Sequence, residues 1–347
     1  MYLKDLVDIQ MGQSPDSKFY NYDKIGLPFY QGKADFGRIN PTPKIWCMKS
    51  KKEAKPNDIL ISVRAPVGDL NINNVQSCIG RGLAAITCKS DVDMMYLYYY
   101  LKYLKPQLKH ISTGSTFESI NRTQLENLII DCKPFSEQIK ISNILQVVQR
   151  QIEVKENLLR LYNLLIKSRF VELFGDVVLN TLNWPLVKLS DIAEYRIGLT
   201  YKPEAVSSSG TAVLRSGNIQ NSQLCYEDTI YVDSKVEAKL LLKKHDILMC
   251  ARNGSQALVG KVALIEDDIL NTTYGTFMMA ISSKYYVYLF EYFRSQAFRR
   301  LISVGSTTTI NQVTTKMLNS VVIPLPDIDT VNRFALYHSQ INKLKFA

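Results

Sequence analysis

Four short landmarks occur twice in this chain, in the same order. Residues 3–12 (LKDLVDIQMG) return as residues 189–198 (LSDIAEYRIG), 186 positions later. Pro56-Asn57-Asp58-Ile59-Leu60 is answered by Lys244-His245-Asp246-Ile247-Leu248 at an offset of 188. Gly114-Ser115-Thr116 is answered by Gly305-Ser306-Thr307 at 191, and Ile120-Asn121 by Ile310-Asn311 at 190. Each match is short. The shared order, with offsets drifting by five residues at most, implies two copies of one domain. The length of 347 residues accommodates about two domains with ample buried core.

Both copies have the same grammar. In the first, the apolar runs 59–63 and 83–87 read as buried strands, and 93–109 reads as helix, ended or kinked near its close by Pro106. A short strand from Leu128 to Ile130 precedes Pro134. In the second, Val213-Leu214-Arg215 precedes a Ser-Gly-Asn turn, 246–250 and 259–265 read as strands, 285–302 as helix, and 321–324 closes the domain. In each copy the helix stands just before a Gly-Ser-Thr turn. The fold class is α+β: two duplicated, mixed α/β domains with strand-rich cores.

Between the copies, residues 136–172 contain neither Pro nor Gly. Ile141, Ile144, Val148, Ile152, Leu158, Tyr162 and Leu165 step by three and four, with polar interruptions at Gln151, Lys155 and Arg169. Such a helix would be roughly 55 Å long. Pro134 precedes it, Ser136 is placed to cap it and Gly175 to end it. So long a stripe needs a partner helix. Residues 329–347 supply one, with Val331, Phe334, His338, Ile341 and Leu344 at the same spacing. Two antiparallel helices in a coiled-coil-like spacer that separates the domains is the expected arrangement; a long core helix against one domain is the alternative. The divisions are 1–134, 135–175, 176–326 and 327–347.

A formal charge of +10 suits nucleic acid or an acidic surface, and also ordinary solubility. Apolar residues are 46% and charged residues 21%, a globular balance. Six dispersed Cys without a CxxC pair and three scattered His argue against a disulfide framework or an obvious metal cluster, and favour a reduced, cytoplasmic setting. No apolar run reads as a signal peptide or a membrane span.

These features together resemble the specificity subunit of type I restriction-modification systems, over essentially the whole chain. The domain starts are family-like: Leu3-Lys4-Asp5-Leu6 with Gly12, and Trp184-Pro185-Leu186-Val187-Lys188-Leu189 with Gly198. So are the exits, including Pro134-Phe135-Ser136-Glu137-Gln138, and the helix end Ser168-Arg169-Phe170-Val171-Glu172-Leu173-Phe174-Gly175-Asp176. The second exit departs from the pattern, with Thr330-Val331 where the first has Glu137-Gln138, and the C-terminal helix is short for the family. The resemblance implies two target-recognition domains, each reading one half of a split duplex DNA site. It implies partner-helix contacts to two modification subunits that carry S-adenosylmethionine and methylate adenine, and to restriction subunits that use ATP and Mg2+. By resemblance this chain is no enzyme, binds no cofactor, and works in the cytoplasm at the nucleoid. A helical ruler would fix the gap between the half-sites, at one to two DNA turns. Because the copies differ strongly between their landmarks, the two half-sites are expected to differ.

Polar loops supply the DNA-binding candidates: Gln13, Ser14, Tyr30, Gln31, Lys33 and Arg38 in the first copy, and Tyr201, Lys202, Arg215, Asn218 and Gln220 in the second. Arg pairs with guanine, Gln and Asn with adenine, while Lys and hydroxyls more often hold phosphate. Lys51 and Lys52, with Lys243 in the second copy, suit a phosphate-facing edge or a merely solvated one. Arg64 and Arg252 each follow a matched aspartate by six residues and stand just past a strand, as base readers or as structural cations. Ser115, Thr116, Ser306 and Thr307 could offer hydroxyls to phosphate or simply form turns.

Adenine-methyltransferase motifs, a Walker A sequence and GxGxxG are all absent. Asp233, Glu237 and Lys239 mimic a nuclease arrangement inside an expected charged turn. A DNA- or protein-binding scaffold outside restriction, or a metal-dependent nuclease, are the competing readings.

Overall fold

A computed structural model describes residues 1–112, 118–304 and 312–345. It divides into two compact units, Met1–Val154 and Lys155–Ala347, with the division inside one long helix.

The first unit is built on an antiparallel sheet in the order Val7–Met11, Leu83–Cys88, Ile59–Ser62, Leu70–Ile72. Side chains alternate between its faces. Ile59, Ile61, Ala84 and Ile86 point into a core with Leu97, Leu101 and Leu108 from the helices. Leu60, Leu83 and Ala85 point the other way, onto Tyr30, Ala54 and Ile79. Both faces are covered, which is why the strand sequence is an unbroken apolar run. The second face carries a sheet in the order Tyr20–Asn21, Ile45–Cys47, Leu27–Tyr30, Ser77–Ile79, Glu53–Ala54, in which Leu27–Tyr30 and Ser77–Ile79 run parallel.

The second unit repeats this design. Its central sheet is Glu194–Ile197, Met278–Ser282, Ile247–Cys250, Val262–Leu264, also antiparallel. Ile247, Met249, Met279 and Ile281 face the helical core, while Leu248, Cys250, Met278 and Ala280 face the other layer. That layer contains Val206–Ser207, Ile230–Val232, Thr211–Leu214 and Thr272–Tyr274, and Thr211–Leu214 again runs parallel to its later partner. The matched aspartates are equivalent in role. Asp58 accepts from the Lys55 amide at 2.7 Å and the Thr87 hydroxyl at 2.7 Å. Asp246 accepts from the Lys243 amide at 2.9 Å and the Ser282 hydroxyl at 2.6 Å, and also pairs with Arg196. Asn57 and His245, just before them, both take the left-handed conformation, at φ 70° and 71°.

The helix expected over 93–109 is two helices, Met94–Tyr103 and Lys105–Ile111, with Pro106 in the first turn of the second, where a missing amide costs nothing. Its counterpart is likewise split, into Tyr286–Arg294 and Gln296–Val304. Residues 128–130 form no strand; Ile129 makes a single bridge to Tyr2. The Gly-Ser-Thr turns lie outside the described residues.

The long helix is Phe135–Phe174, 40 residues without interruption. Ser136 does not cap it: the amides of Glu137 and Gln138 both bond to the Pro134 carbonyl, so Ser136 is already inside the first turn. Gly175 ends it with φ 71° and an amide bond to the Val171 carbonyl, the left-handed glycine stop. Gln138 is buried and anchors its start: it accepts from the Asp93 amide at 2.8 Å and donates to the carbonyls of Asp91 and Lys133. In the second unit, Ile166, Phe170 and Phe174, spaced by four, enter the core. Helix Ile328–Lys345 meets them in opposite chain order: Phe334 lies 5.3 Å from Phe174 and 5.7 Å from Phe170, and Tyr337 faces Arg169. Phe334 and Ile341 are buried in the second unit's core. The rest of the stripe is less covered. Ile141, Ile144, Val148, Ile152 and Leu165 are exposed, and Leu158 and Tyr162 half-buried. An 18-residue helix, about 27 Å long, cannot cover one of 40 residues.

Candidate nucleic-acid interface

In both units one set of backbone contacts builds one surface. In the first, the amides of Gly12 and Gln13 bond to the carbonyls of Leu83 and Ile79, and the Gly80 amide bonds to the Tyr30 carbonyl. In the second, Gly198 and Leu199 bond to Met278 and Tyr274, and Gly275 bonds to Leu214. The chain crossing is so close that a Cβ on Gly12 would lie 2.2 Å from the Gly80 oxygen, and one on Gly198 2.2 Å from the Gly275 oxygen. A further pair completes the match: the Val63 amide bonds to the Gly82 carbonyl and the Ala251 amide to the Phe277 carbonyl. Gln31 therefore corresponds to Arg215, Ser14 to Thr200, Arg81 to Thr276 and Arg64 to Arg252.

In the second unit this surface is a cavity of about 620 Å³. Four predicted residues meet there, Tyr201, Arg215, Asn218 and Arg252, beside Thr200, Asn253, Thr276 and Phe277. Arg215 is exposed and one of its terminal nitrogens donates to the Asp228 carbonyl at 2.9 Å. The Arg252 guanidinium lies 5.4 Å from the centre of the Phe277 ring, a cation–π contact. Asn218 is buried and is a support rather than a contact: it accepts from the Arg215 amide at 2.8 Å and donates to Cys225, Glu227 and Thr229. Lys202 is exposed on a loop, and Gln220 is exposed in the two-residue strand Ile219–Gln220. Lys243 is exposed, with its amide tied to Asp246.

In the first unit Gln13, Gln31 and Arg64 are exposed, and the Ser14 hydroxyl accepts from the Arg81 amide at 3.3 Å. The Gln31 amide is held by Asp35 at 2.7 Å, as Arg215 is by Asn218. Tyr30 is a correction: it is fully buried, and burial pushes its hydroxyl above the ordinary phenol range. As the last residue of a covered strand its side chain turns into the core, so no ligand at the surface meets it. Lys33 pairs with Asp69 at 2.8 Å, and Asp69 also pairs with Lys105. Burial alone would raise the Asp69 carboxyl, but hydrogen bonds from Lys105 and Lys33 outweigh it and hold the acid below its ordinary range. Arg38 pairs with Glu153 on the long helix at 3.3 Å. Lys51 and Lys52 are exposed beside the edge of the outer sheet, where the Lys52 carbonyl accepts from Ile79. Ser115, Thr116, Ser306 and Thr307 lie outside the described residues. The mimic of a nuclease site is an exposed pair, Lys239 with Glu237 at 2.7 Å.

Sequence reasoning missed Arg81 and Thr276. The signal was Gly80-Arg81-Gly82: two glycines around an arginine between strands mark a close approach of backbone that throws one side chain outward.

The profile of the type I restriction modification DNA specificity domain matches residues 1–161 and 182–336. A stretch of 148 residues is 46% identical to the putative type I restriction enzyme MjaX specificity subunit of Methanocaldococcus jannaschii, over 42% of this chain and 35% of that protein. Over 277 residues the chain is 24% identical to the MjaVIII specificity subunit of the same organism, over 73% of this chain and 64% of that protein. The chain thus spans less than two thirds of these relatives' length. The fold is similar to the crystal structure of a type I restriction-modification S subunit from M. genitalium, with a TM-score of 0.62 at 16% identity over 99% of this chain and 91% of that one. With both matched stretches falling on the two repeated units, the chain belongs to the family of type I restriction-modification DNA specificity domains.

Proposed function

We propose that this chain gives a type I restriction-modification complex its DNA address. Each unit reads one half of a bipartite, asymmetric duplex target, and the chain performs no reaction. The observation that carries this reading is the repeated surface: two copies of one backbone crossing, each presenting a different polar set next to the same arginine, Arg64 or Arg252. Fixed arginine, glutamine and hydroxyl groups are the chemistry that reads base edges and phosphates. The long helix Phe135–Phe174 sets the gap between the half-sites and offers its exposed apolar stripe, Ile141, Ile144, Val148 and Ile152, to the modification subunits. Those subunits carry S-adenosylmethionine; restriction subunits, where they join, use ATP and Mg2+. The complex acts in the cytoplasm on nucleoid DNA.

Mapping methylated adenines across the genome with the gene present and deleted tests this. A two-block motif with a fixed gap should disappear on deletion. An unchanged map would overturn the proposal.

A further inference from the structure

The correspondence between the units separates two kinds of position. At Arg64 and Arg252 the copies agree. Each arginine follows a central strand, and each bridges to the segment that returns past it, at Ser119 and Gln312. At Gln31 and Arg215 the copies disagree in side chain but agree in setting. Each is the first residue after the strand of the parallel pair, Leu27–Tyr30 or Thr211–Leu214. In each the amide is fixed by a side chain three or four residues on, Asp35 or Asn218, and the side chain is exposed.

We infer that Gln31 and Arg215 are the paired specificity-determining residues of the two units, and that Arg64 and Arg252 hold the phosphate backbone common to both half-sites. This rests on the DNA-address reading above. If the units read different sequences, base-reading positions must differ in chemistry, while contacts to the uniform sugar-phosphate backbone have no reason to. Gln31 has the donor and acceptor that pair with adenine N7 and N6, and its carboxamide has no hydrogen-bond partner among the described residues. Arg215 donates one N–H to the Asp228 carbonyl, which aims the guanidinium and leaves donors for guanine O6 and N7. The first unit's half-site therefore has an adenine at the position Gln31 reads, and the second unit's a guanine under Arg215. Arg64 and Arg252 are thereby reassigned from candidate base readers to phosphate contacts.

The test is selection from a randomised duplex library by the chain assembled with its modification subunits, for the wild type and four variants. Gln31→Arg should convert one adenine to guanine in one half and leave the other half intact. Arg215→Gln should convert one guanine to adenine in the opposite half. Arg64→Ala and Arg252→Ala should weaken binding to all duplexes alike and each lower the salt slope by about one. All four positions are exposed, so unchanged melting of each variant separates a lost contact from a lost fold. A wild-type two-block motif that persists unaltered under both Gln31→Arg and Arg215→Gln overturns this inference and leaves the address reading standing. So does a change of base preference in Arg64→Ala. No two-block motif from the wild type would sink both.

Discussion

Gly12 and Gly198 end the repeated ten-residue phrase. Their reason is steric: each lets a strand end pass over a carbonyl that a Cβ would strike at 2.2 Å, against Gly80 or Gly275. Gly12→Ala and Gly198→Ala should each cost about 1–3 kcal/mol in urea unfolding, as overpacked sites do. A loss below about 0.5 kcal/mol would mean that the crossing opens easily and does not define the surface. The matched aspartates were also visible in sequence, but not their purpose. Asp58 and Asp246 are buried and are satisfied by Thr87 and Ser282, 29 and 36 residues away. Such distant partners leave no local pattern. Tyr30 shows the opposite failure: a polar residue beside Gln31 looked like a ligand contact, yet strand alternation sends it inward.

At the scale of elements, the long helix was legible at both ends through Pro134 and Gly175, because start and stop chemistry is local. Which part of its stripe is covered was not legible, since 3.6-residue periodicity is the same under a partner or without one. The turns around Ile166, Phe170 and Phe174 receive helix Ile328–Lys345. That helix is held to Tyr286–Arg294 by a buried ionic group: Glu291 faces His338 at 3.6 Å and pairs with Arg294. Burial raises the Glu291 carboxyl, but the neighbouring His338 ring and the Arg294 charge and hydrogen bond more than offset it, leaving the acid below its ordinary range. A depressed carboxylate stabilises the folded state above its unfolded pKa of about 4.3, and that contribution is lost as pH falls further. The melting temperature should therefore fall as the pH drops below about 4.3, and Glu291→Gln should flatten that fall while lowering stability at pH 7. Equal slopes for the two proteins would remove Glu291 from the account.

For the whole molecule, duplication is the organising fact, and it was readable because order survives where identity does not. The central four-stranded sheet and the parallel pair behind it repeat, while the loops that carry Gln31 and Arg215 diverge. What Arg215 meets was not readable: the second unit's cavity draws on residues 199–201, 215–218, 227–228, 252–253 and 275–278, and only the fold brings these five segments together. The central claim is that two readers are joined by a helix whose length sets the gap between their targets. Its most direct test inserts one heptad into the exposed part of helix Phe135–Phe174, adding about 10 Å of rise. The methylation motif of that variant is then mapped. Both half-sites should keep their sequences while the unread gap widens; an unchanged gap, or an altered half-site, would contradict the claim.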